Sequence, residues 1–483
     1  MLIREDIDQQ LLARYDQRGP RYTSYPPANH FQALTQEELS GRWQRERAAS
    51  ADKGLGLYVH LPFCRSRCLY CACHVEIGAK QPLVTNYLQA LHRELELVAE
   101  HVDAERPVNQ VVLGGGTPNF LTPEQLRRLF ARIDELWSPQ ATGERSVELD
   151  PRVATAAGLD AFLDAGFNRF SLGVQDLDES VVRRVRPGGN QMAVEDVYAH
   201  LRGAGIESVN FDLIYGLPGQ TVATAARTAQ RVIDLAPTRL ALYSYAHVPW
   251  IKPHQAALEK RGLPDAEAKA AIAREMAAHF SAAGYAPVGM DHYALPSDPL
   301  VAAQQAGTLR RNFMGYTTGR GLETAAFGTS AISYMGRAYG QNTKDVTDYI
   351  NALEEGRLPL ERGFLLSDED HLRRELLLEL FCNFTLDLDG LSRRFAIDAP
   401  THFARELTAL EPLLDDGLVE IDYADGCPAA ESRVWGGAGE ATGPRPVRIR
   451  ATDLGRFFIR NVCMVFDTYL ASDSATPVYS RTV

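Results

Sequence analysis

Four of the chain's seven cysteines fall within ten residues, as Cys64-x3-Cys68-x2-Cys71-x-Cys73, straight after the apolar run LGLYVHLPF. Thiolates crowded in this way bind metal or do redox work where thiols stay reduced. A structural zinc site usually pairs such a run with a second, distant pair of Cys or His. His74 adjoins the run, but no second pair lies near by in sequence. Three thiolates on one loop suit a cubane [4Fe–4S] cluster with one iron lacking a protein ligand. An open metal position can take a substrate or cofactor, as it does in catalytic zinc sites. Spacing alone leaves zinc and iron–sulfur both open. Cys382 and Cys463 sit in apolar runs and read as small buried hydrophobes, while Cys427 stands alone.

The elements that must position this loop are legible as alternation. After about residue 55, the strand-like runs LGLYVHLPF, QVVLGGGTP, RSVELDP, FNRFSLGVQ, SVNFDLIYGLP and LALYSYAHV alternate with amphipathic, helix-like stretches. One of these opens with Thr122-Pro123 and carries Glu124 and Gln125 in its first turn, which predicts a helix start. Six β-then-α units predict an α/β fold, a parallel sheet curled into a partial (βα)6 TIM-like barrel. In such folds the ligand site gathers at the carboxyl ends of the strands. The cysteines follow the first strand, Gly114–Thr117 end the second, Glu148 and Asp150 the third, Gln175 and Asp176 the fourth, and Asp212 to Pro218 the fifth.

Three units are expected: an extension over residues 1–54 that covers the active site, a barrel over 55–365, and a smaller, mostly helical C-terminal unit over 366–483. In the last, a helical stretch and the strands GLVEIDY and PVRIRAT suggest a winged-helix-like module, with a Gly- and Ala-rich exposed loop between the strands. Hydrophobic residues make up 45% of the chain, enough for a large core. The net charge of -12 argues against a general nucleic-acid binder, which needs a basic face. The N-terminus is charged from its fourth residue, unlike a signal peptide. No window approaches the roughly 18 apolar residues of a membrane span. A cytoplasmic protein with no membrane partner is expected.

Cys-x3-Cys-x2-Cys with the aromatic Tyr70 before the third cysteine resembles the signature of radical S-adenosylmethionine (SAM) enzymes. In that superfamily three cysteines hold a [4Fe–4S] cluster, and the amine and carboxylate of SAM chelate the open iron. An electron from the reduced cluster then cleaves SAM to a hydrogen-abstracting radical. LGGGTP is similar to the superfamily's glycine-rich loop, where glycines let backbone groups approach SAM closely. Over nearly its whole length the chain further resembles the oxygen-independent coproporphyrinogen III oxidases. The similar segments include GPRYTSYPPA, YVHLPFCRSRCLYCACH, LGGGTPNFLTPEQL, NFDLIYGLPGQT, GMDHYALPSDPL, GTSAISYMG, IRNVCMVFDTYL and the terminal YSRTV.

That family decarboxylates two propionates of coproporphyrinogen III to vinyl groups in haem biosynthesis. The resemblance implies that Cys64, Cys68 and Cys71 hold the cluster and that Tyr58 and Tyr70 pack beside cluster and SAM. It implies SAM contacts at Gly115, Gly116, Thr117, Glu148, Gln175, Asp212, Ala246 and Ile332, with two SAM molecules per chain. It also implies a role for His60, and for Cys73, which is not a standard ligand in the family. Taken singly, Tyr58 reads equally as strand core, Glu148, Gln175 and Asp212 as strand-end caps, and Cys73 as a small packed residue. The implied partners are a tetrapyrrole substrate and a reduced flavodoxin or ferredoxin-type donor, for a monomer. Arg18, Arg21 and Arg481 are candidate cations for the substrate's carboxylates, with solvated surface as the alternative. Two departures stand out: Pro187 replaces the family's arginine, with Arg186 adjacent as a substitute, and Met314 replaces its glutamine. They motivate a second reading, a relative that uses the second SAM as a group donor in methylation, cyclopropanation or haem degradation. A haem-carrying relative is a third, disfavoured by Cys73 and both terminal motifs.

Overall fold

The structure is a computed structural model that describes residues 9–50, 53–103, 105–186, 188, 191–319, 323–424, 444–470 and 479–482. Pro187, Cys427 and the Gly- and Ala-rich loop lie outside these residues. The six expected strands form as β1 (Leu55–Leu61), β2 (Val108–Gly115), β3 (Glu144–Leu149), β4 (Arg169–Gln175), β5 (Ser208–Tyr215) and β6 (Arg239–Ser244). Each pairs in parallel with the next. The chain then adds β7 (Ala286–Val288), β8 (His292–Ala294), β9 (Glu323–Phe327), β10 (Ile332–Met335), β11 (Ala338–Asn342) and β12 (Leu360–Leu365).

The resulting twelve-stranded sheet runs β12-β11-β10-β9-β1-β2-β3-β4-β5-β6-β8-β7. A seventh parallel strand, β9, lies against the free side of β1. Its sequence Glu-Thr-Ala-Ala-Phe is wholly buried, with neither polar alternation nor a β-branched run to mark it. β10 to β12 extend that side, and β8 and β7 the other, as antiparallel strands. The sheet curls around a cavity lined from many strands, among them by Val112, Ser146, Ser171, Asn210, Tyr243 and His292, which makes it a partial barrel.

Helices cover the outer face. α1 (Gln81–Ala99) and α2 (Pro123–Trp137) bury Leu91, Leu95, Leu129 and Phe130 in the same core as Leu57 and Val59 of β1. The expected start of α2 is a full capping box: Thr122 N–H donates to the Gln125 side-chain oxygen (2.9 Å), and the Gln125 backbone N–H donates to the Thr122 hydroxyl (3.3 Å).

The C-terminal unit packs α3 (Asp368–Asn383) against an antiparallel sheet of β13 (Thr385–Asp387), β15 (Pro446–Ala451) and β14 (Val419–Tyr423). β13 was not evident from sequence, because its three residues carry no periodicity. The two ends of the chain meet here. Tyr15, Tyr22 and Tyr25 enter the core of this unit with Phe381, Phe458 and Phe466. Arg18 bridges Arg481 in antiparallel register, and Tyr22 donates to Asp467 (3.0 Å). The buried Arg460 donates to the carbonyls of Gly19, Pro20 (3.0 Å) and Arg481 (2.6 Å). Among the described residues no helix is long and apolar enough to cross a membrane.

Arg460→Met strips those carbonyls of their shared donor. An unmet buried acceptor costs about 1–3 kcal/mol, so the variant should melt at a lower temperature. Limited proteolysis should release both ends of the chain sooner than in the parent.

Candidate cofactor and active site

The cysteine loop begins where Phe63–Cys64 pairs in parallel with Glu76–Ile77, closing the loop at its base. Gly78 N–H donates to the Cys64 carbonyl (3.0 Å), and Leu69 N–H to the carbonyl of Val185 (2.8 Å). Cys64, Cys68, Cys71 and Cys73 all line one cavity of about 370 Å³ at the carboxyl ends of the strands. Gly115, Gly116, Thr117, Glu148, Gln175, Arg186 and Asp212 line it too, with Tyr70 and Met314.

Three of the sulfurs have polar neighbours. The Thr117 hydroxyl lies 3.3 Å from Cys64 Sγ. The Arg152 guanidinium donates to Cys68 Sγ (3.1 Å), and Cys73 N–H to Cys71 Sγ (3.4 Å). Hydrogen bonding from Cys73, against the opposing effect of burial and with help from Lys252 and Arg67, lowers the Cys71 thiol to about 6. Burial pushes Cys64 up to about 11, a rise that the Thr117 hydroxyl moderates. Among the described residues, no three His, Cys, Asp or Glu side chains converge as a single metal ion requires. A mononuclear tetrahedron, with ligands about 2.3 Å from one ion, is therefore not preformed.

The glycine loop is dictated by close approach. A Cβ on Gly116 would stand 2.6 Å from the Pro62 carbonyl carbon, and one on Gly114 2.9 Å from a Glu148 carboxylate oxygen. Gly115 has φ +107°, open to glycine alone at no strain, and its N–H donates to Glu148 (3.2 Å). Gln175 ends β4 at φ +69°, an uncommon conformation for a residue with a side chain.

The carboxylates of Glu148, Asp150 and Asp212 line the cavity. Burial, then the charge of Asp212, raises Glu148 to about 7. Burial also raises Asp212, against hydrogen bonds from Ser171 (2.9 Å) and Asn210 (2.8 Å). Burial works against the Asp150 charge too, but Arg186 (3.5 Å) and Arg152 (2.6 Å) outweigh it and hold that carboxyl below its usual range.

Tyr58 and His60 lie behind the lining. Burial lowers His60 to about 4, so the ring is neutral. Its Nε2 lies 3.2 Å from the His74 carbonyl, which only accepts, so Nε2 carries the proton. Nδ1 then accepts from the Tyr58 hydroxyl (3.1 Å). Ala246 and Ile332 are not on the lining: Ala246 follows β6, and Ile332 packs beside Phe31 and Tyr339. Asp176 turns away to accept from Gln220 (2.7 Å). Arg152 was missed by sequence reasoning; its only signal is its place two residues beyond Asp150 at a strand end.

The comparisons with known proteins meet this geometry. Residues 58–232 match the Radical SAM superfamily. The oxygen-independent coproporphyrinogen III oxidase of Synechocystis sp. is 38% identical over 487 residues, covering 99% of this chain and 98% of its own. That of Escherichia coli K12 is 37% identical, covering 99% of both. The chain belongs to the oxygen-independent coproporphyrinogen III oxidase family. The solved coproporphyrinogen III oxidase (HemN) of Escherichia coli, a radical SAM enzyme, superposes with a TM-score of 0.86 at 36% identity, over 96% of this chain and 99% of its own. Membership brings a [4Fe–4S] cluster and SAM as cofactors. The residues present fit them: cysteine sulfurs open to one cavity, beside a loop in which side chains are sterically barred.

Gly116→Ala tests that fit. Its methyl group would meet backbone, which cannot give way as a side chain could. SAM binding to the reconstituted protein should weaken at least tenfold in equilibrium dialysis.

Proposed function

We propose that this chain is an anaerobic decarboxylating oxidase that turns two propionates of coproporphyrinogen III into vinyl groups, giving protoporphyrinogen IX. The observation that carries the reading is identity across 99% of the chain, both termini included, joined to a cysteine-lined cavity at the strand ends. Bound there, the cluster and SAM supply one-electron chemistry that removes a hydrogen atom from the propionate β-carbon. Loss of CO2, with one further electron passing to an external one-electron acceptor, then leaves the alkene.

Cys64, Cys68 and Cys71 hold the cluster in this reading, with Arg152 and Thr117 steadying two of the sulfurs. Gly115, Gly116 and Thr117 take the methionyl end of SAM, with Glu148, Gln175 and Asp212 across the cavity. The relay from Tyr58 through His60 to the His74 carbonyl positions the residue after Cys73, so that Cys73 faces the substrate. The resemblance adds Ala246 and Ile332 as SAM contacts, though neither is on the cavity lining, and a second SAM molecule. Arg186 serves that second molecule: it is buried on the lining, and its Nε has no hydrogen-bond partner among the described residues. A carboxylate there would receive a charge-assisted hydrogen bond. Residues 1–54 cover the site, ahead of a barrel over 55–365 and a C-terminal unit over 366–483. A cytoplasmic monomer fits the four reduced thiols, with a reduced flavodoxin or ferredoxin-type protein as donor.

Met314 on the lining, where the family has glutamine, favours the group-transfer alternative, and product analysis separates the two. With SAM and reductant under anaerobic conditions, coproporphyrinogen III should yield protoporphyrinogen IX and one 5′-deoxyadenosine per CO2. A product heavier by a methyl or methylene group, formed with S-adenosylhomocysteine, would move the chain to the alternative.

Replacing Cys64, Cys68 or Cys71 by Ala should abolish the broad visible absorbance and the roughly four irons that a [4Fe–4S] site binds. Cys382→Ala should leave both unchanged. Cys73→Ala should keep the cluster and lose turnover; failure to assemble a cluster would make Cys73 a ligand or a folding requirement instead.

A further inference from the structure

The two most exposed large hydrophobic side chains among the described residues are neighbours, Trp250 at 51% and Ile251 at 56%. Neither lines the cavity. They sit on a turn that is firmly held: Ile251 and Lys252 N–H groups both donate to the Val248 carbonyl (2.9 Å), and Val248 N–H donates to the buried Gln255 (2.7 Å). The residues that follow grip the cysteine loop from outside. Lys252 Nζ donates to the Cys73 carbonyl (3.1 Å), His254 Nε2 to that of Cys71 (2.8 Å), and Gln255 to that of Tyr70 (2.8 Å). The sulfurs of Cys71 and Cys73 thus face the cavity while their carbonyls face this turn. A rigid, protruding Trp–Ile pair lies three and four residues from a histidine bonded to a cluster-loop cysteine.

Basic side chains lie on the elements that follow and adjoin the pair. The protein carries -12 overall, yet Lys252 and Arg67 both act on Cys71, and the exposed Lys260 ends the short helix Pro253–Arg261. That helix packs on Glu179–Val185, which carries the exposed Arg183 and receives Leu69 of the cysteine loop. The acids on these elements are Glu179, which pairs with Arg183 (2.5 Å), and Glu259, which lies 3.0 Å from His247. An apolar anchor on an element that carries basic side chains suits an acidic partner, because charge complementarity steers encounter and a buried tryptophan carries much of the binding.

We propose that this face docks the reductant, a small acidic one-electron carrier protein. The inference rests on the proposed function, whose chemistry takes one electron into the cluster for each SAM consumed. The carrier is oxidised by one electron and the cluster reduced by one. His254 and Lys252 bind the docking turn to the loop that receives the electron.

The test uses the reconstituted full chain and a purified bacterial flavodoxin as probe. Two variants change only the face: Trp250→Ser with Ile251→Ser, and Arg183→Glu with Lys260→Glu. Calorimetric titration reads flavodoxin binding at low and high salt, and stopped-flow absorbance reads cluster bleaching by reduced flavodoxin or by dithionite. The apolar variant should bind flavodoxin about tenfold or more weakly, as loss of an aromatic anchor implies. The charge-reversed variant should bind more weakly and lose the salt dependence. Both should be bleached more slowly by flavodoxin and at the parent's rate by dithionite. If the parent is bleached by flavodoxin and the variants bind and react equally well, the docking face is refuted and the donor class stands. If flavodoxin neither binds nor reduces the parent, the donor class falls, and the face with it. A raised KM for coproporphyrinogen under dithionite in the apolar variant would assign the patch to substrate and overturn the proposal.

Discussion

The backbone of the cysteine loop is tied to the surrounding fold at point after point. The Cys64 carbonyl accepts from Gly78, and Leu69 donates to Val185. The carbonyls of Tyr70, Cys71 and Cys73 accept from Gln255, His254 and Lys252, and that of His74 from His60. A loop with no ladder of its own must find partners for these groups or leave them to water. By drawing them from β1, from the helix Glu179–Val185 and from the turn after β6, the fold holds the sulfurs in place. A site built this way loses little conformational freedom when its cofactor arrives.

The same barrel segregates charge. Glu148 and Asp212 line the cavity, where desolvation raises both carboxyls, Glu148 to about 7. Asp150 lies a short way along the rim between Arg152 and Arg186 and stays charged. Three carboxylates, two from the end of β3 and one from β5, therefore hold two different protonation preferences, set by desolvation for Glu148 and Asp212 and by paired cations for Asp150. Arg152 ties the charged carboxylate to the cysteine loop, because it bonds both Asp150 and the Cys68 sulfur.

The ends of the chain complete the molecule. Arg18 and Arg481, both candidate cations for substrate, are turned to structural tasks: Arg18 donates to the Tyr479 carbonyl (3.1 Å), and Arg481 pairs with Asp16. Arg21 is different. Its charge acts on Lys269, Asp291 and Arg460.

The amino-acid sequence by itself determined the cluster loop, the glycine loop, the six strands and the strand-end carboxylates. Each of these is a local pattern: cysteine spacing, a glycine run barred to side chains, apolar runs of strand length, polar residues where those runs stop. It also determined the family, through motifs spread from Gly19 to Arg481. Only the tertiary structure decided that Glu323–Phe327 closes on β1, that Thr385–Asp387 is a strand, and that both termini share one core. It alone brought Arg152 to Cys68 and His254 to Cys71, across 84 and 183 residues of chain. Such contacts have no local signature, because sheet order and helix packing set them, and a hydrogen bond between distant residues leaves no periodicity in either segment.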